Sequence, residues 1–309
     1  MQKDTKKIGI IGLGKVGMTT AYALLLKGIG GQLVLLSSST EKLEGEKLDL
    51  EHGLPFLENQ NIVTTTDYSQ LQGADVIIVT AGEKQAPGQS RLELVEENRQ
   101  MIRDIGIKLA PYASESVVVV VSNPVDVLTY ELALTLNLPT GRVLGTGTML
   151  DTARFRFHLS EILHINPRSI HTYVMGEHGD SSFPVLANAT VGGQLLRYFP
   201  NYSEEKIALA FAQTKEAAAR IIQSKGATYY AIGVVITKLV QTILQDKRSV
   251  LPVSVPITDY YGQSGLAISV PCVVGRGGVK QVLKIELSEE EREAFVRSCE
   301  VVKGVAESK

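Results

Sequence analysis

The first half of the chain contains short runs of branched aliphatic residues separated by longer stretches of mixed polarity. The runs are residues 8–11, 33–36, 62–65, 76–80 and 117–121. They place apolar residues on both faces of the strand rather than on alternate positions, which is typical of strands in a parallel sheet covered on both faces. Amphipathic stretches such as residues 19–28, which ends at a glycine, predict helices between several of the strands. Strands that alternate with helices indicate a doubly wound α/β sheet, which binds its ligand at the carboxyl ends of the strands.

The pattern changes after about residue 150. Helical periodicity covers about residues 149–163, and two longer helical stretches lie between residues 203 and 245. Residues 250–255 and 266–274 predict antiparallel strands, because their connections are rich in turn residues. A last helix begins where Ser288 and Glu291 have the spacing of a capping box. We therefore predict that the second half is an α+β domain packed on the first.

A glycine cluster follows the first predicted strand. Gly12, Gly14 and Gly17 have the GxGxxG spacing, with a strand before them and a helix after them. This arrangement places the pyrophosphate of a dinucleotide on a helix N-terminus. We therefore predict a dinucleotide-binding (Rossmann) domain at residues 1–146 and a catalytic, substrate-binding domain at residues 147–309. From the ends of the strands, the residues expected to contact the cofactor are Gly12, Gly14, Lys15, Val16, Gly17, Thr80, Ala81, Gly82, Ser122 and Asn123.

Composition excludes several other classes of protein. The formal net charge of the 309-residue chain is −2, so nothing favours nucleic acid or an anionic membrane as a partner. Cys272 and Cys299 have apolar neighbours, which predicts buried, inert thiols rather than disulfides or metal ligands. The lysines near the N-terminus precede a stretch too short and glycine-rich for a signal peptide. The longest aliphatic run is far below the roughly 20 residues that span a bilayer. We expect a cytoplasmic protein.

Four further segments carry candidate chemistry. They are GEHGD (176–180) with His178, LDTARFR (150–156) with Asp151 and Arg154, SNPVD (122–126), and the polar loop AGEKQAPGQSR (81–91). Each alone has an ordinary explanation, such as a structural histidine or a solvated ion pair. Together with the glycine cluster and KGATYY (225–230), they resemble in kind and order the L-lactate and malate dehydrogenase family, and most closely its L-lactate branch. The resemblance covers nearly the whole chain.

The resemblance implies a role for each reactive side chain. Arg154 would grip the carboxylate of a 2-oxo acid with its planar fork, which lysine cannot copy. His178 would exchange the proton, and Asp151 would orient the imidazole and favour its charged form. Arg91, at the end of the polar loop, would stabilise the developing alkoxide when that loop closes over the substrate. Asn123 would bind the substrate oxygen or orient the ring.

The substrate implied is pyruvate, or L-lactate in reverse. In the family, a glutamine at the position of Gln85 accompanies a neutral methyl group, whereas an arginine accompanies a second carboxylate. Thr228 fits a compact substrate pocket. A malate dehydrogenase or a broad 2-hydroxy acid dehydrogenase remains an alternative within the family.

Two alternatives come from other classes. A dinucleotide-sensing protein could share the glycine cluster without needing the catalytic set. A nicotinamide-dependent glycosidase would need a metal site built from cysteine and histidine, yet both cysteines lie far from any histidine in sequence. We expect no metal.

The cofactor preference depends on Ser37, Ser38 and Lys42. An acidic residue usually stands at the end of the second strand, about twenty residues after the glycine cluster, and binds the ribose hydroxyls of NAD. Here serines occupy that place, and they can admit the 2′-phosphate of NADP. Lys42 is the only cation among residues 37–42, and Glu41 stands beside it. We predict a relaxed enzyme that uses both NAD and NADP.

A second arginine on the same predicted helix suggests regulation. Arg154 and Arg156 point about 200° apart on a helix, so they cannot serve one pocket. We expect Arg156 to face solvent or a neighbouring subunit. In bacterial members of the family that fructose 1,6-bisphosphate activates, an arginine and a histidine at the positions of Arg156 and His171 bind the sugar phosphates across a two-fold interface. The resemblance therefore implies a homotetramer with fructose 1,6-bisphosphate as its effector.

Overall fold

The computed structural model describes residues 6–57, 60–83 and 91–307. The helices in these ranges are α1 (Lys15–Leu26), α2 (Thr40–Gly53), α3 (Arg91–Leu109), α4 (Val125–Leu136), α5 (Met149–Leu163), α6 (Glu204–Lys225), α7 (Tyr230–Leu244) and α8 (Glu289–Glu307). The strands are β1 (Lys7–Ile11), β2 (Gln32–Leu36), β3 (Asn61–Thr65), β4 (Val76–Val79), β5 (Val117–Val120), β6 (Val143–Gly145), β7 (Ile170–Met175), β8 (Phe183–Val191), β9 (Gln194–Leu195), β10 (Ser249–Ile257), β11 (Leu266–Gly275) and β12 (Gly278–Val282).

One large sheet runs through both halves of the chain. Its order is β12-β11-β10-β6-β5-β4-β1-β2-β3. The six strands from β1 to β6 are parallel, as the doubly wound fold requires, so the predicted fold class is confirmed. β10 pairs antiparallel with β6 where Ser254 faces Gly145, and β11 and β12 continue the sheet. The exact division at residue 146 stays a prediction, because the sheet is continuous across it.

Burial explains which aliphatic runs became central strands. Every residue of β4 and β5 is buried, because helices cover both faces of the sheet there. β3 is different: only Ile62 of that strand is buried, since β3 is the edge of the sheet. The prediction that residues 62–65 are covered on both faces was therefore wrong. A second sheet, β7-β8-β9, is antiparallel and packs on α5 and α6 around its own apolar cluster.

Helix boundaries follow local capping chemistry. α1 begins at Lys15, earlier than the apolar periodicity predicted, because Gly14 is its N-cap and Gly17 lies in its first turns. It ends where Gly28 adopts a positive φ of 60° and donates to the Leu25 carbonyl. At the start of α8, the Glu291 N–H donates to Ser288 Oγ at 3.2 Å, and the Ser288 N–H donates to Glu291 Oε2 at 3.0 Å. The predicted capping box is therefore confirmed.

Both cysteines lie inside the protein. Cys272 and Cys299 are 0% exposed, and burial raises the pKa of each thiol to about 12. Such thiols are neutral at physiological pH and inert as nucleophiles, as predicted. None of the helices in the described ranges is long and apolar enough to cross a membrane.

Candidate active site

The turn between β1 and α1 leaves no space for side chains at two of its glycines. Gly12 has a φ of +95°, and a Cβ there would lie 2.5 Å from the main-chain nitrogen of Ala81. A Cβ on Gly17 would lie 2.1 Å from the carbonyl oxygen of Gly12. Thr80 Oγ1 donates to that same carbonyl at 2.6 Å. The glycines therefore let the turn pack directly against the end of β4.

Gly14 differs, because a Cβ there would meet no described atom within 4 Å. It is the N-cap of α1, and the first N–H groups of a helix have no partner within the helix. A pyrophosphate fits such a position, since it needs N–H donors and close approach of the main chain. Ser37, Ser38, Ala81 and Gly82 line the cleft that continues from this turn.

Two other predicted cofactor residues of the turn lie beside it. Lys15 Nζ lies 5.6 Å from the ring centroid of Tyr229, and Val16 packs partly buried against the core. Lys42 belongs to α2, but its side chain lies outside the described residues.

The ends of β4 and β5 are joined by side chains. Ser122 Oγ donates to the Ala81 carbonyl. Asn98 of α3, 3% exposed, accepts the Glu83 N–H at 2.8 Å and donates through Nδ2 to the Asn123 carbonyl at 3.2 Å. The residues predicted at the carboxyl ends of these strands therefore share one edge of the sheet. Nothing in the sequence sets Asn98 apart, because it is one of many polar residues along α3.

A histidine, an aspartate and an arginine meet beside this edge. His178 Nδ1 lies 2.7 Å from Asp151 Oδ2, and Arg154 Nη1 lies 3.5 Å from Asp151 Oδ1. Asp151 and Arg154 are one turn apart on α5, whereas His178 lies between β7 and β8. The structure thus brings His178 of the GEHGD motif next to Asp151 and Arg154 of the LDTARFR motif.

The three charges shift one another's pKa values. Burial alone would raise the pKa of Asp151, but the charge and hydrogen bond of His178, together with Arg154, lower it. Burial likewise opposes the protonated form of His178, yet the charge and hydrogen bond of Asp151 raise the pKa of the imidazole above its ordinary value. Burial lowers the pKa of Arg154, against the attraction of Asp151. The arrangement favours an imidazolium beside a carboxylate.

Arg154 has unused donor capacity. Its Nη2 is buried and has no hydrogen-bond partner among the residues that the structure describes. A buried donor without a partner costs roughly 1–3 kcal/mol, so such a group suits an acceptor supplied by a ligand. A carboxylate next to the imidazolium would satisfy it.

A second carboxylate touches the same histidine. The His178 N–H donates to Asp126 Oδ2 at 2.7 Å, and Asp126 is only 3% exposed. In the sequence, Asp126 is only the last residue of SNPVD, and no neighbouring residue points to His178. Its contact with a residue 52 positions later arises only from packing.

Comparison with known proteins identifies the family. The model of the lactate/malate dehydrogenase NAD binding domain matches residues 6–145, and that of the lactate/malate dehydrogenase alpha/beta C-terminal domain matches residues 148–308. The chain belongs to the lactate/malate dehydrogenase family. The resemblance predicted from the sequence is thus confirmed, and the first half is a domain that binds a nicotinamide cofactor.

Relatives within the family are similar over almost their full length. The chain is 43% identical over 304 residues to an L-lactate dehydrogenase of Thermoanaerobacter sp. (strain X514), covering 97% of each. It is 39% identical over 303 residues to an L-lactate dehydrogenase of Priestia megaterium, covering 97% of this chain and 95% of the relative. A crystal structure of the minor L-lactate dehydrogenase from Enterococcus mundtii matches with a TM-score of 0.94 and 38% identity, covering 98% of both chains.

These relatives do not favour the dinucleotide-sensing protein or the glycosidase. Within residues 6–57, 60–83 and 91–307, no three His, Cys, Asp or Glu side chains form a group that could bind a metal ion.

Three predicted site residues of this dehydrogenase lie outside the described residues or are not part of the cluster of His178, Asp151 and Arg154. Gln85 lies outside the described residues, and so does the side chain of Arg91, whose main chain begins α3. Thr228 lies half-buried between α6 and α7. The roles of all three remain predictions.

Arg156 points away from Asp151, the partner of Arg154, and packs against β7. It is half-buried, and its Nε and Nη2 donate to the Thr172 carbonyl at 3.0 and 2.6 Å. Its guanidinium also lies 5.5 Å from the Tyr173 ring centroid. The helix geometry was therefore right about divergence. The guanidinium packs on β7 through Thr172 and Tyr173, so it does not extend freely into solvent, and a neighbouring subunit at this face stays a prediction.

The two glycines at positions 14 and 17 should behave differently when each is changed to alanine. Gly17→Ala forces its Cβ against the Gly12 carbonyl, so it should destabilise the protein by about 1–3 kcal/mol in thermal unfolding. Gly14→Ala meets open space and should leave the melting temperature unchanged, yet weaken NADH binding about tenfold in a fluorescence titration, or about 1.4 kcal/mol. Unaltered NADH affinity in Gly14→Ala would show that the cofactor does not use this space.

Proposed function

We propose that the protein catalyses the reversible reduction of pyruvate to L-lactate with a nicotinamide cofactor. The observation that carries this proposal is the unpartnered Nη2 of Arg154 beside the His178–Asp151 pair. An anion receptor next to a protonated acid is what a 2-oxo acid requires. The names of the relatives, L-lactate dehydrogenases, support the same activity.

His178 supplies the proton in this proposal. Its Nδ1 is taken by Asp151, so Nε2 is the nitrogen left to donate to the carbonyl oxygen of pyruvate. A nicotinamide cofactor held at the β1–α1 turn would supply the hydride, or accept it in the reverse direction. A pKa raised by Asp151 keeps the imidazole protonated until the carbonyl needs the proton, and general acid catalysis of this kind contributes about 10²- to 10⁴-fold.

Arg154, Arg91 and Asn123 orient and polarise the substrate. Arg154 binds the carboxylate through its guanidinium, which fixes the 2-oxo acid relative to His178. Asn123 binds the substrate oxygen, and Arg91 stabilises the negative charge that develops there. Thr228 contributes to the wall of the pocket.

Gln85 is proposed to select pyruvate over oxaloacetate. Oxaloacetate brings a second carboxylate that a glutamine cannot neutralise, and a charge buried without a partner is costly. This choice separates an L-lactate dehydrogenase from a malate dehydrogenase or a broad 2-hydroxy acid dehydrogenase of the same family.

Steady-state kinetics with both oxo acids tests the proposed function. We expect kcat/KM for pyruvate to exceed that for oxaloacetate by at least about tenfold, which is about 1.4 kcal/mol. Gln85→Arg should shift the ratio toward oxaloacetate, whereas Gln89→Arg, which adds the same charge to the same segment, should not. His178→Gln serves as the catalytic blank. A wild-type preference for oxaloacetate would refute the assignment.

The cofactor preference is proposed to be relaxed, with NADH favoured. Ser37 is half-buried at the end of β2, and its Oγ accepts the Ser39 N–H at 3.3 Å. Neither Ser37 nor Ser38 repels the 2′-phosphate of NADP as an acidic residue would. Further along the cleft, however, Glu83, Glu97 and Asp104 outnumber Lys108. This acidic wall should weaken binding of the extra phosphate without preventing it.

We therefore expect turnover with both cofactors and a preference for NADH below about a thousandfold, or about 4 kcal/mol. Ser37→Asp should increase the NADH preference strongly, because its carboxylate repels the 2′-phosphate. Ser39→Asp adds the same charge two residues further and should change the preference much less. Ratios of kcat/KM for NADH and NADPH measure the effect, and a wild-type ratio above the stated limit contradicts the proposal.

Arg156 and His171 are proposed to bind fructose 1,6-bisphosphate between subunits of a homotetramer. His171 is exposed on β7, and Tyr173, two residues further along the strand, is partly buried against the core. The Arg156 guanidinium lies 5.5 Å from the Tyr173 ring centroid, and a guanidinium and an imidazole are both groups that bind a phosphate.

Pyruvate saturation curves with and without fructose 1,6-bisphosphate test this regulation. We expect the apparent affinity for pyruvate to rise with the sugar phosphate, and pyruvate analogues to tighten its binding in return. Arg156→Gln and His171→Gln should abolish the response, whereas His164→Gln, at the C-cap of α5, should retain it. The idea fails if the wild-type curves coincide under conditions where the enzyme is not already fully active.

A further inference from the structure

Side chains from two other helices bind successive N–H groups of the turn that carries His178. Ser298 Oγ, from α8, accepts the Glu177 N–H at 2.7 Å. Asp126 Oδ2, from the first turn of α4, accepts the His178 N–H at 2.7 Å. Ser298 and Asp126 are 0% and 3% exposed. Because both acceptors are fixed in the interior, they determine where the main chain of His178 lies.

Asp126 also belongs to the segment that supplies the proposed substrate amide. It follows Asn123 by three residues, at the point where that segment becomes α4. Its other oxygen, Oδ1, lies 3.5 Å from Ser269 Oγ on β11. The carboxyl group therefore connects the Asn123 segment to the histidine turn, two parts of the site that lie far apart in sequence.

Asp126 differs from Ser298 because it can carry a charge. Among the residues that the structure describes, the ionisable groups that face it are His178 and Glu177 from the turn and Cys299 from α8. Burial raises the pKa of Asp126 to about 6, although the hydrogen bond from His178 and its positive charge favour the carboxylate. For His178, burial lowers the pKa, Asp151 raises it most, Asp126 raises it further, and Arg154 opposes that rise.

We propose that Asp126 is a positioning residue for His178, which fixes the main chain of the histidine and places a second negative charge beside its imidazole. The inference rests on the proposed function, since it takes His178 as the acid–base group. On this view two carboxylates serve one histidine: Asp151 binds the ring, and Asp126 binds the backbone.

The test compares Asp126→Asn with Ser298→Ala. The first keeps the shape and the acceptor but removes the charge, whereas the second removes a neighbouring main-chain hydrogen bond and no charge. The titration of His178 is followed by NMR on protein labelled at histidine Cε1, without substrate. His178→Gln assigns its resonance among the five histidines. The pH profile of pyruvate reduction is recorded in parallel.

Asp126→Asn should lower the pKa of His178 by about 0.5–1 unit, less than the roughly 1–3 units of a direct ion pair, because Asp126 contacts the main chain. The pH profile should move toward lower pH by the same amount, since less imidazolium remains at a given pH. Ser298→Ala should leave the pKa of His178 unchanged. An unchanged pKa in Asp126→Asn, or equal shifts in both variants, overturns the proposal.

The wild-type protein decides the question if Asp126→Asn does not fold. Ionisation of Asp126 near pH 6 should then appear as a second inflection in the titration of the His178 resonance, as expected for coupled groups. A single-step curve overturns the proposal. Failure of the proposed function gives a different result, because the pKa shift would persist in a protein that does not reduce pyruvate.

Discussion

The candidate site depends on the buried carboxylate of Asp151. A charge removed from water is costly unless it is paired, and the side chain of Asp151 is only 14% exposed. Two cations share it: His178 lies at 2.7 Å and Arg154 at 3.5 Å. One carboxylate thereby determines the tautomer of the imidazole and leaves part of the guanidinium free. Asp151 therefore orients both the proton donor, His178, and the proposed carboxylate-binding residue, Arg154.

The part of this arrangement that is local in sequence could be predicted. Helical spacing alone places Asp151 and Arg154 on one face, and it correctly separates Arg156 from them. The GxGxxG spacing works because Gly12 and Gly17 meet main-chain atoms across the turn, so the sequence pattern records a steric requirement. Central strands were visible for a similar reason, since full burial demands uninterrupted apolar runs.

The part of the site that arises from tertiary packing could not be predicted from the sequence. Asp126 in the first turn of a helix has an ordinary explanation, favourable interaction with the helix dipole, and nothing local points to His178. Asn98 sits in a charged helix and becomes informative only when Glu83 and Asn123 are beside it. The packing of Arg156 on β7 depends on how the second sheet docks against α5. Each of these contacts joins residues that are too far apart in sequence for hydrophobic periodicity to predict it.

The continuous sheet has a consequence for how the chain folds. The hydrogen-bonding edge of β6 is covered by β10, which is synthesised about a hundred residues later. Until β10 arrives, β6 exposes unpaired N–H and C=O groups, the kind of edge along which partly folded chains associate. During synthesis, the sheet of the first half therefore has an unpaired edge strand, β6, until the C-terminal strands pair with it. Folding of the cofactor domain is completed by the half of the chain that carries His178.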